Sequence, residues 1–345
     1  MTTPNPIDAG SGAVVAAPFP ESPVVPISPW GRARPHVGDR IFRILAQASG
    51  LFIVAVIGAI AGFLLWRSIP ALQRNRENFL GYGGNWITTN TSAMHFGIAD
   101  LLQVTVCVSL FALVLAMPVA LGVAIFVTQY SSRRVGGSLS YAVDLLAAVP
   151  SIVYGAWGLY VLAPQLQPVA NWLNHSLGWF FLFADGSASA SGGGTIFTGG
   201  IVLAIMILPI ITAVTREVFV QTPHDQIEAA LALGATRWEV VRTIVLPFGR
   251  TGYISGAMLG LGRALGETIA LLIIVRGTQT AFGWSLFDGG STFATKIAAA
   301  ASEFDDRYKA GAYLAAGLML FVLTFLVDAA ARGAVAGAGS RRGDR

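Results

Sequence analysis

The feature that most constrains this chain is the length of its apolar stretches. Six of them are long enough to cross a hydrocarbon core, which takes about 20 helical residues. They cover residues 44–66, 101–127, 139–162, 196–220, 254–275 and 311–331. The chain is 54% hydrophobic and only 12% charged, and in lipid stretches of this length satisfy their backbone groups as helices. The sequence therefore predicts an all-α polytopic membrane protein with six transmembrane helices.

The distribution of basic residues predicts the side of the membrane on which each loop lies. If the N-terminus is cytoplasmic, the inside segments hold fourteen Lys and Arg residues and the outside segments hold seven. Cytoplasmic loops of membrane proteins carry the excess of positive charge. Both termini are therefore predicted to be cytoplasmic, with residues 222–247 forming an inside loop between the fourth and fifth spans.

Composition divides the chain into three parts. Residues 1–40 contain eight of the 16 prolines, among small and polar residues without periodicity, which predicts a disordered cytoplasmic tail. Residues 41–333 form the six-span domain, and residues 334–345 form a short cytoplasmic C-terminal tail. The second, third and fourth spans each contain an interior proline that removes a backbone donor and bends a helix. These prolines are Pro118, Pro150 and Pro209.

The residues present exclude several classes of chemistry. The only lysines, Lys296 and Lys309, are followed by Ile and Ala, so the chain has no phosphate-binding loop of the GxxxxGKS or GxxxxGKT type. The four histidines lie in different segments without metal-ligand spacing, so no metal site is predicted. Cys107 has no partner for an intrachain disulfide. We therefore predict that the chain is not an enzyme and binds no cofactor of its own.

Two charged residues lie inside the fifth apolar stretch. A charge at the bilayer centre costs roughly 2.5–3.5 kcal/mol, so such residues usually face a partner or a water-filled path. Arg263 and Glu267 are four residues apart and, on a continuous helix, would share one face. A guanidinium suits a tetrahedral oxyanion because its planar fork donates two parallel hydrogen bonds. Physical reasoning leaves two interpretations open, an anion path and a neutralised pair that only holds the helices together.

The inside loop at 222–247 is predicted to contain two short helices. Thr222 or Asp225 can cap the first helix, and Gly234 offers a turn conformation after it. The second helix follows and is expected to end where Leu246 and Pro247 interrupt it. From composition alone this is also compatible with an ordinary loop.

A motif in this loop resembles a known family. Its residues are Glu228, Ala229, Ala230, Gly234, Leu246 and Pro247. They resemble the EAA loop of permease subunits in binding-protein-dependent ABC importers. The resemblance implies the type I ABC importer permease fold, with the loop docking on a separate ATPase that binds the ATP and Mg.

Three longer stretches resemble phosphate-importer permeases of the PstC type. They are GLGRALGET at 260–268, AVPSIVYGAWGLYVLAP at 148–164 and IVLAIMILPIITAVTREVF at 201–219. This resemblance implies a role for Arg263 and Glu267 in the phosphate pathway. It also implies a multi-pass protein of the bacterial inner or plasma membrane with three kinds of partner: a homologous permease of PstA type, an ATPase dimer of PstB type and an extracytoplasmic phosphate-binding protein of PstS type.

The substrate and the energy source have alternatives. Hydrogen phosphate carries a proton at neutral pH and sulfate does not, so the Glu267 carboxylate is hypothesised to accept phosphate and repel sulfate. The EAA loop alone is equally compatible with a permease for sulfate, molybdate or phosphonate. An anion carrier driven by an ion gradient would also use an intramembrane arginine, but it would have no need of an ATPase-docking loop. A membrane protein that mainly reports phosphate status to a kinase is a third alternative.

Overall fold

The computed structural model describes residues 37–81, 84–187, 194–277 and 281–340. Within these ranges the chain is helical, and extended pairing is limited to two isolated bridges in the loop at 75–98. The predicted all-α class is confirmed. Of the predicted tails, residues 1–36 and 341–345 lie outside the described residues, while residues 37–40 and 334–340 belong to the first and last helices.

The helices are named in chain order. They are α1 Val37–Arg74, α2 Ala99–Ile125, α3 Arg133–Ala148, α4 Ser151–Trp157, α5 Ala163–Leu177, α6 Ile196–Val220, α7 His224–Ala232, α8 Arg237–Val240, α9 Leu246–Leu265, α10 Ile269–Ile274, α11 Phe293–Ala299 and α12 Arg307–Ser340. Segments of π-helix at Phe126–Tyr130, Gly158–Leu162 and Val241–Val245 extend or join them. The division of the chain into two units falls at Val56, within α1, and the contacts between helices described below belong to the second unit, from Ile57 onward.

Four described helices are long and apolar enough to cross a membrane, and they match the first, second, fourth and sixth predicted spans. They are Arg40–Arg74, Ala99–Tyr130, Ile196–Val220 and Arg307–Gly333. A fifth crossing arises if the bent pair Arg134–Ala148 and Ser151–Leu177 counts as one. By length and composition the described residues thus give four or five crossings, and the predicted count of six is not confirmed.

The third predicted span, 139–162, is wrong as a single helix. The chain bends by 90° between α3 and the helices that follow it. Val149 is extended, with ψ 128°, and Pro150 forms the N-cap of α4. A proline disfavours the helical conformation of the residue before it and cannot donate to the preceding turn, which explains the position of the break.

The fifth predicted span, 254–275, is also two helices. α9 ends at Leu265 with Gly266 as its C-cap, and α10 starts at Ile269. The expectation that Arg263 and Glu267 share one face of a continuous helix is therefore wrong. Glycine is a poor helix former and a common helix terminator, and after this break α10 packs on α4.

A row of glycines lets α9 approach α6 closely. Gly249, Gly252, Gly256 and Gly260 recur every three or four residues on one face of α9. A Cβ atom added at Gly252 would lie only 2.3 Å from Cγ2 of Val218 on α6, and one added at Gly260 would lie 2.9 Å from Cγ1 of Ile211. Small residues at such interfaces are a general device of membrane helices, because lipid supplies no hydrophobic drive for association. α6 also packs along α2, so it is the central helix of the main core cluster.

The helices that follow the two breaks pack on each other. A Cβ atom at Gly155 of α4 would lie 3.0 Å from Cα of Ala270 on α10. In the π-helical segment, Gly158 lies against Val202 and Ile274 in the same way. The two breaks therefore belong to one packed arrangement.

The loop between α6 and α9 differs in two respects from the prediction. The first helix, α7, starts after Pro223 and has no side-chain cap, and Thr222 is buried. Helix α8, the π-helical segment and α9 run without interruption from Arg237 to Leu265, so Leu246 and Pro247 begin α9 and do not end a helix. Pro247 has no N–H to donate to the preceding turn, and the π-helical segment Val241–Val245 directly before α9 accommodates it without ending the helical run.

The turn between α7 and α8 is built from local interactions. Gly234 has φ +89°, a left-handed conformation that suits glycine. Thr236 then caps α8 in a capping box: Glu239 N–H donates to Thr236 Oγ1 at 3.3 Å, and Thr236 N–H donates to Glu239 Oε2 at 2.7 Å. These hydrogen bonds hold the pKa of the exposed Glu239 carboxyl below its ordinary value.

We predict that Gly252→Ala destabilises the fold, whereas Gly122→Ala does not. The new methyl group would collide with the branched side chain of Val218, and overpacking of this kind costs about 1–3 kcal/mol. Gly122 lies in α2 with nothing within 4 Å of an added Cβ. The measurement is the thermal unfolding midpoint of the two purified variants in lipid nanodiscs. Equal unfolding midpoints would contradict the close packing of α9 on α6 through the row of glycines.

We predict that the start of α8 loosens in acid. Because the folded pKa of Glu239 is lowered, the cap stabilises α8 at neutral pH, and this contribution is lost as the pH falls through the folded pKa, below the ordinary 4.5. Hydrogen-exchange protection of the Glu239 and Val240 amides, corrected for intrinsic rates, should fall in that range. Glu239→Gln should lower the protection at neutral pH and remove its pH dependence, while the control Glu217→Gln leaves both unchanged.

Candidate functional site

Arg263 lies in the last turn of α9 and is exposed on the surface of the chain. Gly262 beside it has nothing within 4 Å of an added Cβ, so the backbone on this side is open. Within the described part of the chain Arg263 makes no hydrogen bond or ion pair, and its charge acts on the phenol of Tyr154 in α4. The guanidinium is thus available to a group outside this chain.

Glu267 lies in the break between α9 and α10 and is buried, with 8% of its surface exposed. Its Oε1 accepts a hydrogen bond from the Ala270 N–H at 3.3 Å, in the first turn of α10. The carboxylate therefore interacts with the backbone of its own chain and forms no ion pair with Arg263 in this conformation. The break places the two residues in different environments, one exposed and one buried.

Tyr154 is a site residue to which the sequence analysis gave no role. Its hydroxyl donates to the carbonyl of Leu146 at 2.9 Å, so it ties α4 to the last turn of α3 across the proline break. The side chain is buried, apart from 8% of its surface, beside the end of α9 that carries Arg263. A lone tyrosine in an apolar stretch gives no sequence signal, and only the bend brings it to this place.

A second pair of charges links α3 to α6. Arg216 Nη2 lies 3.7 Å from Asp144 Oδ2, beyond hydrogen-bond distance, and both side chains are partly exposed. The ion pair joins the helix before the proline break to the central helix.

The motif residues of the inside loop separate into an exposed part and an anchored part. Glu228, Ala229 and Gly234 are exposed. Ala230 and Leu246 pack against the apolar cluster beneath α7. Pro247 is exposed at the start of α9. One side of α7 is therefore exposed, and its other side packs on the apolar cluster.

Two large apolar side chains are exposed after α7, one at its C-cap and one in α8. Leu233 is 90% exposed and Trp238 is 56% exposed. Exposed apolar groups beside a polar helix are typical of a protein contact. Neither residue was predicted from the sequence to form a contact, because exposure is a property of the folded loop.

An open groove runs between α9 and α12 near Arg263. It has a volume of about 790 Å³ and is lined mainly by apolar atoms. Its walls are one face of α9, which includes Leu259 and Gly262, and the C-terminal half of α12, which includes Asp328 and Arg332. The exposed side of α9 is therefore concave as well as polar at Arg263.

Comparison with known proteins identifies the family. Residues 116–335 match the family model described as binding-protein-dependent transport system inner membrane component. The chain is 57% identical over 300 residues to the phosphate transport system permease protein PstC 2 of Mycobacterium tuberculosis, covering 87% of this chain and 92% of the relative. It is 59% identical over 294 residues to the phosphate transport system permease protein PstC of Mycobacterium leprae, covering 85% and 92%.

A similarity among solved structures concerns the fold alone. A chain of a bacterial ABC transporter involved in the import of the acidic polysaccharide alginate aligns with a TM-score of 0.50 at 16% identity, covering 89% of this chain and 100% of that one. The match supports the all-α fold described above. With 220 residues matched by the family model and relatives well above 30% identity, the chain belongs to the binding-protein-dependent transport system inner membrane components, as a permease of the PstC type.

Proposed function

We propose that this chain is the permease subunit of an ATP-driven importer of inorganic phosphate, and that it forms half of the translocation pathway with a homologous permease of PstA type. The observation that carries the proposal is the exposed Arg263 at the end of α9, without an ion-pair partner in the described residues, in a chain 57% identical to a phosphate transport system permease. An arginine inside a membrane-length segment has to find a partner or water. Here the partner is the transported anion.

The anion chemistry divides between two residues. The guanidinium of Arg263 donates two parallel hydrogen bonds to phosphate oxygens and keeps its charge at any physiological pH. The carboxylate of Glu267, now bonded to the Ala270 N–H, can accept the proton of hydrogen phosphate when the break opens. Sulfate offers no such proton, so Glu267 disfavours it.

The inside loop couples the pathway to ATP hydrolysis on a separate ATPase dimer of PstB type, which binds the ATP and Mg. The exposed residues Glu228, Leu233 and Trp238 form the contact. From Arg237 to Leu265 the helical run is uninterrupted, about 40 Å at the rise of an α-helix. A tilt of α7 and α8 is therefore transmitted along this continuous helical run to the last turn of α9, which carries Arg263.

The orientation follows from the same contacts. With the ATPase on the inner surface of the bacterial membrane, α7 and both termini are cytoplasmic. The loop at 75–98 and the segment at 281–306 then face outside, where a phosphate-binding protein of PstS type delivers the anion. Rearrangement of α9 and α10 around their break alternates access between the two sides.

We predict that Arg263→Gln abolishes phosphate uptake and that Arg263→Lys lowers it by about 10- to 100-fold. Lysine keeps the charge but loses the paired hydrogen bonds, and a charged hydrogen bond contributes about 1.5–3 kcal/mol. Uptake is measured with the complete transporter reconstituted in vesicles. Arg250→Lys, in the exposed first turn of the same helix, is the control and should transport normally. Normal uptake by Arg263→Gln would overturn the proposed pathway.

Competition and energy dependence in the same vesicles separate the alternatives. Phosphate uptake that sulfate, molybdate or phosphonate inhibits as strongly as unlabelled phosphate would favour a permease for another oxyanion. Uptake without ATPase subunits would favour a carrier driven by an ion gradient.

We predict that Leu233→Asp and Gly234→Ala uncouple the transporter. The first removes an apolar contact, and the second strains a left-handed residue by roughly 1–2 kcal/mol. Phosphate-stimulated ATP hydrolysis should fall while the permease pair still forms. Asp225→Asn, exposed on α7, is the control. Full phosphate-stimulated ATP hydrolysis in Leu233→Asp would exclude this loop as the contact with the ATPase.

A further inference from the structure

A pocket of about 290 Å³ lies far along the chain from the motifs already discussed, between three segments of the second unit. Its walls are the loop after α1, the first turns of α2 and the segment before α11. The polar side chains that line it are Asn85, Asp100, Ser291 and Lys296. None of them belongs to the proposed Arg263 pathway or to the coupling loop.

Lys296 gives the pocket a positive charge. Its side chain is half-buried, and its Nζ lies 5.5 Å from the centre of the Trp86 ring. Burial lowers the pKa of this ammonium group from its ordinary value, because removal of water disfavours the charged form. In the described part of the chain Lys296 has no carboxylate within ion-pair distance. A partly desolvated charge of this kind is stabilised by an anion.

The carboxylate that acts on Lys296 from a distance is already engaged. Glu303 Oε2 accepts from the Tyr313 hydroxyl at 3.0 Å and interacts with the Thr88 hydroxyl at 3.4 Å. These contacts hold Glu303 in a side-chain cluster of its own. Lys296 lines the pocket without an ion-pair partner among the described residues, and its Nζ lies over the Trp86 ring.

Asp100 adds a carboxylate acceptor to the lining of the same pocket. Its Oδ1 accepts from the Phe282 N–H at 3.3 Å, and its Oδ2 makes no hydrogen bond to the described residues. The hydroxyl of Ser291 and the amide of Asn85 add donors. The first turn of α2, which has no side-chain cap, adds the positive end of a 27-residue helix.

The walls of the pocket are fixed by packing. Trp86 stacks on Tyr313 with centroids 5.5 Å apart and planes at 23°. A Cβ atom at Gly290 would lie 2.7 Å from Cγ2 of Val104, so this part of the wall is pressed against α2. Pockets for drug-sized ligands occupy about 300–1,000 Å³, so this volume suits a small ion with a few waters.

We propose that this pocket is a receiving site for hydrogen phosphate on the outer side of the permease, in which Lys296, Ser291 and Asn85 bind the phosphate oxygens and the Asp100 carboxylate accepts a hydrogen bond from the single P–OH group of the anion. Sulfate, which has no proton, would set its oxygen against the Asp100 carboxylate, and this repulsion selects against it. The inference rests on the proposed function, because the receiving site would bind phosphate before it enters the proposed Arg263 pathway.

The chain has only two lysines, which allows a direct test. The assembled transporter in nanodiscs, without its binding protein, is treated with an amine-reactive reagent, and the modification rates of Lys296 and Lys309 are read by mass spectrometry. Lys309 forms an ion pair with Asp305 at 3.7 Å and does not line the pocket, so it is an internal control. We expect millimolar phosphate to slow the modification of Lys296 by at least fivefold and sulfate at equal ionic strength to have no effect.

Asp100→Asn tests the selection. The amide can donate to sulfate, so we expect sulfate to protect Lys296 in this variant. The wild-type measurement needs no substitution and decides the proposal even if the variant folds poorly. Equal protection by both anions in the wild type, equal protection of both lysines, or no protection by phosphate would overturn the receiving site.

The test also distinguishes this inference from the proposed function. In Arg263→Gln the proposal predicts that uptake is lost while phosphate still protects Lys296. Phosphate uptake by the wild type without protection of Lys296 would overturn the receiving site and leave the proposed function standing. A wild-type transporter that fails to take up phosphate would overturn the proposed function, whatever the lysines show.

Discussion

The contact on which the structure depends is the close approach of α9 to α6 along a row of glycines. Because Gly252 and Gly260 carry no side chain, Val218 and Ile211 of α6 pack directly on the backbone of α9. In a membrane this van der Waals contact stabilises helix association, which burial of apolar surface from water stabilises in soluble proteins. It fixes α9 along the central helix and leaves Arg263, three residues after the last glycine of the row, at the surface.

Two breaks convert this rigid packing into a structure that can change. The proline break after α3 and the glycine break after α9 are packed together through α4 and α10, where Gly155 meets Ala270. Tyr154 ties α4 to α3 across the first break, and the Asp144–Arg216 ion pair ties α3 to α6. On the other side of α9, an unbroken helical run leads back to the loop between α6 and α9. The proposed coupling thus uses a continuous element to move a discontinuous one.

Much of this could be predicted from residue patterns. Apolar length identified four continuous spans, because a lipid environment leaves a helix few alternatives. The EAA residues identified the exposed loop correctly, since their spacing is local. The expected contact between Arg263 and Glu267 was wrong, because it assumed that spacing alone sets a shared helical face. Gly266 permits the helix to stop, and the packing of α10 on α4 decides that it does.

The sequence by itself determined the membrane class, the all-α fold and the residues that carry charge into apolar segments, because each is set by composition or by neighbours within a few positions. Only the tertiary structure decided that Glu267 is buried while Arg263 is exposed. It alone brought Tyr154 beside Arg263, and it alone placed Lys296 and Asp100, 196 positions apart, in one pocket. The physical reason is that these relations arise from packing between distant segments, which leaves no periodic trace in the chain.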